Sequence, residues 1–85
     1  MNKLNKTQIT KLHKLGQKAW KLNANDETWG NDDCMDADEA FWTFAHGLMT
    51  KRQRDELDDL CCKATAAECI EHGFRVLGVE FKPNK

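Results

Sequence analysis

The chain contains no serine and no tyrosine, and it has a single proline among its 85 residues. The missing serine excludes the serine-hydrolase class of enzyme, and the missing tyrosine excludes catalysis by a phenol group. No apolar run approaches the roughly 18 residues that a membrane-spanning helix requires. Residues 1–22 also lack the apolar core of a secretion signal. We therefore expect a cytoplasmic protein with no membrane anchor.

Cysteine is present four times, and the number alone predicts little. In a small secreted protein, four cysteines would predict two disulfides. The missing signal and the helical spacing favour reduced thiols instead. Cys61 and Cys69 are interpreted as small hydrophobic residues on helix faces. Cys61 and Cys62 are adjacent, so a bond between them would be strained.

Charge is distributed unevenly along a chain whose net charge is only −1. Residues 1–22 hold six lysines and no acidic residue, whereas residues 23–40 hold seven acidic residues and no basic one. Such a separation of charge is a candidate signal for interaction with a charged partner.

Helical periodicity predicts a mainly α domain spanning residues 1–85, with three to four packed helices and one C-terminal β-strand. The helices are expected at about residues 6–22, 37–49, 51–64 and 66–72. A bent continuous helix is the alternative for the last two. Capping boxes predict three of the four starts: Asn5 with Gln8, Thr50 with Gln53, and Thr65 with Glu68. Asp36 is expected to cap the second helix, and Gly73 to end the fourth.

Apolar positions at helical spacing define the expected core, which is arranged around the second helix. The expected core residues are Ile9, Leu12, Leu15, Ala19, Phe41, Phe44, Ala45, Leu48, Leu57, Leu60, Cys61, Ile70, Leu77 and Val79.

Residues 74–82 alternate between apolar and polar side chains, which predicts the C-terminal strand. A single strand would leave its backbone donors and acceptors without partners. We therefore expect it to pair with residues 27–29, with a second copy in a homodimer, or with the sheet edge of another protein.

Residues 23–36 form the expected acidic loop, which is rich in Asn, Asp and Gly. Long loops in small domains are often functional. Trp29 lies in this segment, outside any helical stripe. It either anchors an interface or folds back over the core. The candidate partner-binding residues are Asp26, Glu27, Trp29, Asp32, Asp33 and Asp36.

Metal binding and catalysis find less support in the sequence. An EF-hand alignment with Gly30 at its sixth position places Trp29 among the calcium ligands and ends on Asp36 instead of Glu. Cys69 and His72 have the spacing of one zinc-ligand pair, but no second pair accompanies them. The same two residues would suit nucleophilic catalysis, yet nothing predicts an oxyanion hole. We predict no enzyme activity and no cofactor, with Cys69 and His72 as the alternative metal ligands.

The first helix carries four lysines on one face: Lys11, Lys14, Lys18 and Lys21. Such a face would suit nucleic-acid phosphates, although lysines are common on the solvated side of an amphipathic helix.

From these observations we expect a small non-catalytic protein-binding module. Many phage- and plasmid-encoded inhibitors of larger host complexes, among them anti-CRISPR proteins, share its size and character. That analogy rests on size and character alone, since no motif carries a family resemblance. A nucleic-acid-associated regulator that uses the lysine face and a structural zinc-binding domain are the alternatives.

Overall fold

Four helices follow one another in the computed structural model, which describes residues 4–81. They are α1 (Lys6–Ala24), α2 (Asp32–Leu48), α3 (Lys51–Cys61) and α4 (Ala66–Val76). Together they form a small, mainly α domain, as the sequence predicts. None of these four helices combines the length and the hydrophobicity needed to cross a bilayer.

The three predicted capping boxes are all present, at the starts of α1, α3 and α4. At α1, the Asn5 side chain accepts from the Gln8 backbone N–H at 2.8 Å. The Gln8 side chain accepts from the Asn5 backbone N–H at 2.9 Å in return. Each box satisfies two backbone groups that would otherwise lack helical partners, so it sets the first residue of the helix.

Helix α2 begins at Asp32, which corrects the predicted loop over 23–36 and the predicted Asp36 cap. Asn31 is the true cap, since its side chain accepts from the Cys34 backbone N–H at 2.8 Å. Asp32 and Asp33 then occupy the first turn, where negative charge suits the positive end of the helix dipole. The acidic composition that suggested a loop therefore stabilises a helix start.

The longer α2 extends the buried stripe of this helix toward its N-terminus. Cys34 and Ala37 are buried on the same side as Phe41 and Ala45. Small side chains at these positions allow α2 to pack closely against α1.

At the centre of the core, the rings of Phe41 and Phe74 stack with centroids 5.7 Å apart. Helix α1 packs against both α2 and α4, and α4 also packs against α3. The stacked rings of Phe41 and Phe74 also bring α2 against α4, so α2 likewise contacts two neighbouring helices. Half of the expected core is buried: Leu12, Ala19, Phe41, Ala45, Leu57, Ile70 and Leu77. The other expected positions are only partly buried: Ile9, Leu15, Phe44, Leu48, Leu60, Cys61 and Val79.

The predicted C-terminal strand is wrong for residues 74–81, and no strand occurs within residues 4–81. Helix α4 passes through Gly73 and ends at Val76, and Gly78 follows with a φ of +75°. The N–H of Val79 donates to the Phe74 carbonyl at 3.0 Å, and that of Gly78 donates to the Arg75 carbonyl, also at 3.0 Å. This pair of bonds is a Schellman motif, which ends a helix on a left-handed glycine.

Gly73 has a packing role inside α4 and does not end the helix. A Cβ added there would lie 3.2 Å from the ring of Trp42. After the Schellman turn the chain runs back across the helices, where the Phe81 ring lies 4.7 Å from that of Phe74. The homodimer expected through a strand therefore loses its basis in the described residues, and Lys82, the last predicted strand residue, lies outside them.

Candidate protein-binding surface

The turn between α1 and α2 is ordered by its own hydrogen bonds. The Asn25 carbonyl accepts from the backbone N–H groups of Thr28 at 3.1 Å and Trp29 at 2.9 Å. The Asn25 side chain accepts from the Glu27 N–H at 2.9 Å, and the Thr28 carbonyl accepts from the Asn31 N–H at 3.1 Å. These bonds hold the backbone of residues 25–31 in one geometry, as Asn-led turns commonly do.

One side chain attaches this turn to α1, and another, at the end of α1, joins that helix to α2. The Thr28 hydroxyl donates to the Leu22 carbonyl of α1 at 2.7 Å. The Asn23 side-chain amide donates to the Ala19 carbonyl at 2.8 Å and to the Asp38 carboxylate of α2 at 2.6 Å. Its oxygen accepts from the buried Cys34 thiol at 3.3 Å. The turn is therefore fixed relative to both α1 and α2.

Trp29 projects outward from the ordered turn and does not cover the core. It is 64% exposed, and Met35 in the first turns of α2 is 62% exposed. They are the two large hydrophobic side chains that the described part of the chain leaves exposed. The sequence identified Trp29 but missed Met35. The available signal was Asn31 followed by acidic residues, which marks a helix start and places Met35 within a helix.

The acidic candidates surround these two side chains in sequence, and all of them are exposed. They are Asp26, Glu27, Asp32, Asp33 and Asp36. Two come from the turn and three from the start of α2, so the carboxylates and the two exposed apolar side chains share one short stretch of chain at the α1–α2 connection. A charged rim around an apolar centre is the usual organisation of a protein interface.

Asp38 is the acidic residue of this region that is partly withdrawn from solvent. Burial raises the pKa of its carboxyl above the ordinary value of 3.8, against the opposing effect of the hydrogen bond from Asn23. Its charged form is therefore less favourable in the folded chain than in the unfolded chain.

We expect the Asp38→Asn variant to melt at a higher temperature than the wild type at neutral pH. Asparagine keeps an oxygen that accepts from Asn23 but carries no charge to desolvate. Because the folded pKa is raised, the unfavourable contribution of Asp38 is present above that pKa. It vanishes as the carboxyl becomes protonated in acid. The melting temperatures of the wild type and of Asp38→Asn should therefore converge at low pH. A variant that melts lower at neutral pH would show that the contact of Asn23 with the charged carboxylate outweighs burial.

The lysine candidates lie on the outer side of α1, where Lys11, Lys14, Lys18 and Lys21 are all exposed. The Lys11 ammonium sits 4.7 Å from the centroid of the Phe44 ring, a cation–π contact. Lys21 occupies the last turn of α1, where positive charge suits the helix dipole. Two of the four lysines therefore have a structural role within the helices.

The structure pairs the Cys69 thiol with the end of α3. Its Sγ atom lies 4.0 Å from the Cys61 carbonyl oxygen, a sulfur hydrogen bond. Within residues 4–81, no three side chains among His, Cys, Asp and Glu converge closely enough to hold a metal ion. The nearby groove has a volume of about 350 Å³. Its lining includes Asp38, Trp42, His46, Asp58, Cys61 and Cys69.

Comparison of the chain with protein-family models finds no match, and comparisons with curated proteins and with solved structures find none either. The fold and the exposed side chains are therefore the observations from which a function is inferred.

Proposed function

We propose that the protein is a non-catalytic module that binds a basic protein partner through one end of the helical domain. The binding surface, called here the Trp29 surface, consists of Trp29, Met35 and the carboxylates Asp26, Glu27, Asp32, Asp33 and Asp36. The observation that carries the proposal is the exposure of Trp29 and Met35, at 64% and 62%.

Leaving a tryptophan in water forgoes a large hydrophobic stabilisation. A buried tryptophan removes roughly 150–250 Å² from solvent. The exposed part of Trp29 would therefore contribute about 2–4 kcal/mol on burial in a partner, at roughly 25 cal/mol per Å². Tryptophan is accordingly among the residues that dominate binding energies.

The ordered turn favours binding because its backbone is already held in place. Asn25 accepts three backbone N–H groups, and Thr28 attaches the turn to α1. Less conformational freedom is then lost when the partner docks, which leaves more of the contact energy as affinity. A tryptophan on a loosely tethered loop would lack this advantage.

The five carboxylates indicate the chemistry of the partner. Grouped negative charge raises the local concentration of a positively charged surface and speeds its association. It also rejects acidic surfaces, which gives specificity. The partner that fits is therefore a protein with an apolar pocket surrounded by lysine or arginine.

We expect Trp29→Ala to lose partner binding without loss of stability. Removal of an interface anchor typically costs about 2 kcal/mol or more, roughly a thirtyfold loss of affinity. The melting temperature should stay close to that of the wild type, since the side chain makes little contact with the core. The measurement is affinity capture from the source cell with mass spectrometry, followed by titration of the retained protein against both forms.

Charge reversal tests the acidic part of the Trp29 surface, and a second reversal elsewhere on the chain serves as its matched control. Asp32→Lys with Asp33→Lys should slow association and flatten its salt dependence. Asp55→Lys with Glu56→Lys changes the charge equally on exposed positions of α3 and should leave binding intact. Equal capture by the wild type and Trp29→Ala would contradict the proposal. Salt-sensitive binding of nucleic acid that disappears on neutralising Lys11, Lys14 and Lys18 would favour the alternative function.

A further inference from the structure

Two cysteines that are eight positions apart in sequence are brought together where α3 meets α4. Cys61 is the last residue of α3, and Cys69 lies near the start of α4. The Cys61 carbonyl accepts from the Ala64 backbone N–H at 3.2 Å and from the Cys69 thiol, whose sulfur is 4.0 Å away. The Cys69 thiol is therefore directed at the residue that carries the second thiol.

The pair is accessible to small molecules. Both cysteines are partly exposed and line the groove of about 350 Å³ beside Trp42 and His46. Cys34 differs in this respect, since it is only 1% exposed and its thiol donates to Asn23. Of the cysteines in α2, α3 and α4, the groove therefore contains the two that are in contact through the Cys69 thiol and the Cys61 carbonyl.

We propose that Cys61 and Cys69 form a reversible dithiol–disulfide site that is oxidised by exchange with a small-molecule disulfide of the glutathione type. This site shares no residue with the Trp29 surface. The Cys69 thiolate attacks one sulfur of the small disulfide, which forms a mixed disulfide and releases one small thiolate. Cys61 then loses its proton to solvent and attacks the Cys69 sulfur, which displaces the second small thiolate. The protein thiols lose two electrons, and the small disulfide becomes two thiols.

The surroundings of Cys61 assign it the second step. Burial, the contact with Cys69 and the negative charge of Asp58 raise the pKa of the Cys61 thiol to about 12. A thiol with a raised pKa is seldom ionised near neutral pH, so it is the poorer attacking group. Asp58 from α3, Cys69 from α4, and Asp38 and His46 from α2 all face this groove. Closure is therefore expected to become faster as the pH rises.

Closure requires the two sulfurs to approach to about 2 Å, the length of a disulfide bond. The chain between α3 and α4 is short and contains a turn at residues 62–63. This connection is the part of the chain that must adjust for the two sulfurs to meet. The resulting bond joins the end of α3 to the start of α4.

Peptide mapping of the full chain tests the site. The reduced protein is incubated with oxidised glutathione, free thiols are blocked with iodoacetamide, and the product is digested with trypsin. Cleavage after Lys63 separates Cys61 from Cys69, so a bond between them joins peptides 55–63 and 64–75. Because Cys62 shares the first peptide, the experiment is repeated with Cys62→Ala, which alters an exposed position.

The expected result is an intact mass lower by two hydrogen atoms and joined peptides in both the wild type and Cys62→Ala, reversed by dithiothreitol. Cys69→Ala should give no joined peptides. The proposal is overturned if the joined peptides disappear in Cys62→Ala, because the bond would then involve Cys62. It is equally overturned if glutathione remains attached to Cys61 or Cys69 without closure.

Discussion

Replacing Phe74 with alanine is expected to lower the free energy of unfolding by about 3–5 kcal/mol. Phe74 is fully buried, and its ring has aromatic neighbours on several sides. Ring centroids lie 5.7 Å away at Phe41, 4.7 Å at Phe81 and 5.3 Å at His13. Its removal therefore leaves a cavity where α1, α2, α4 and the C-terminal segment meet.

A loss of this size approaches the whole stability of many small domains, which is about 5–15 kcal/mol. Urea unfolding followed by circular dichroism would measure it. Phe44→Ala is the matched control, because Phe44 is only partly buried and borders an open groove beside Lys11. We expect Phe44→Ala to lower the free energy of unfolding by clearly less than Phe74→Ala does. Equal losses for the two variants would show that Phe74 does not hold the centre of the core.

The second large effect is expected at Gly16, where alanine should destabilise the fold by about 1–3 kcal/mol through overpacking. A Cβ at this position would lie 2.5 Å from the Phe74 Cζ atom and 3.1 Å from the Phe41 Cε1 atom. The two rings are stacked on each other and buried, so they cannot move aside without disturbing the core. Glycine thus allows α1 to approach α4 closely.

Gly47 provides the control, since it also lies within a helix but a Cβ there would meet nothing within 4 Å. Gly47→Ala is expected to stabilise the protein by up to about 1 kcal/mol, the usual difference in helix propensity. Opposite signs for the two substitutions in chemical unfolding would confirm the close contact at Gly16. If Gly16→Ala also stabilised the fold, the helices would pack less tightly than the structure indicates.

The sequence predicted the candidate surface only in part. Trp29 and the five carboxylates were identified from composition, because an aromatic residue among acidic ones is visible without a fold. Met35 was missed because the segment around it was interpreted as loop, and a loop has no inner or outer face. Once Asn31 is recognised as the cap, Met35 falls on the outer side of a helix and Cys34 on the inner side.

The sequence predicted the starts of three helices correctly but misplaced the end of α4. Asparagine and threonine caps act through atoms three residues away, so the starts of α1, α3 and α4 followed from short motifs. The end of α4 was placed at Gly73 instead of Val76, because either glycine, Gly73 or Gly78, would suit a helix terminus. In the fold Gly73 stays helical and packs against Trp42 of α2, whereas Gly78 takes the positive φ that ends the helix.

The sequence by itself therefore determined the helical class, three of the four helix starts and the acidic character of the segment around Trp29, since these depend on neighbouring residues. Only the tertiary structure decided that Trp29 remains exposed, that Phe74 is central to the core and that Cys61 and Cys69 are in contact. Exposure and contact are set by which helices pack together. That packing depends on side-chain shapes at positions far apart in the chain, and no local pattern records it.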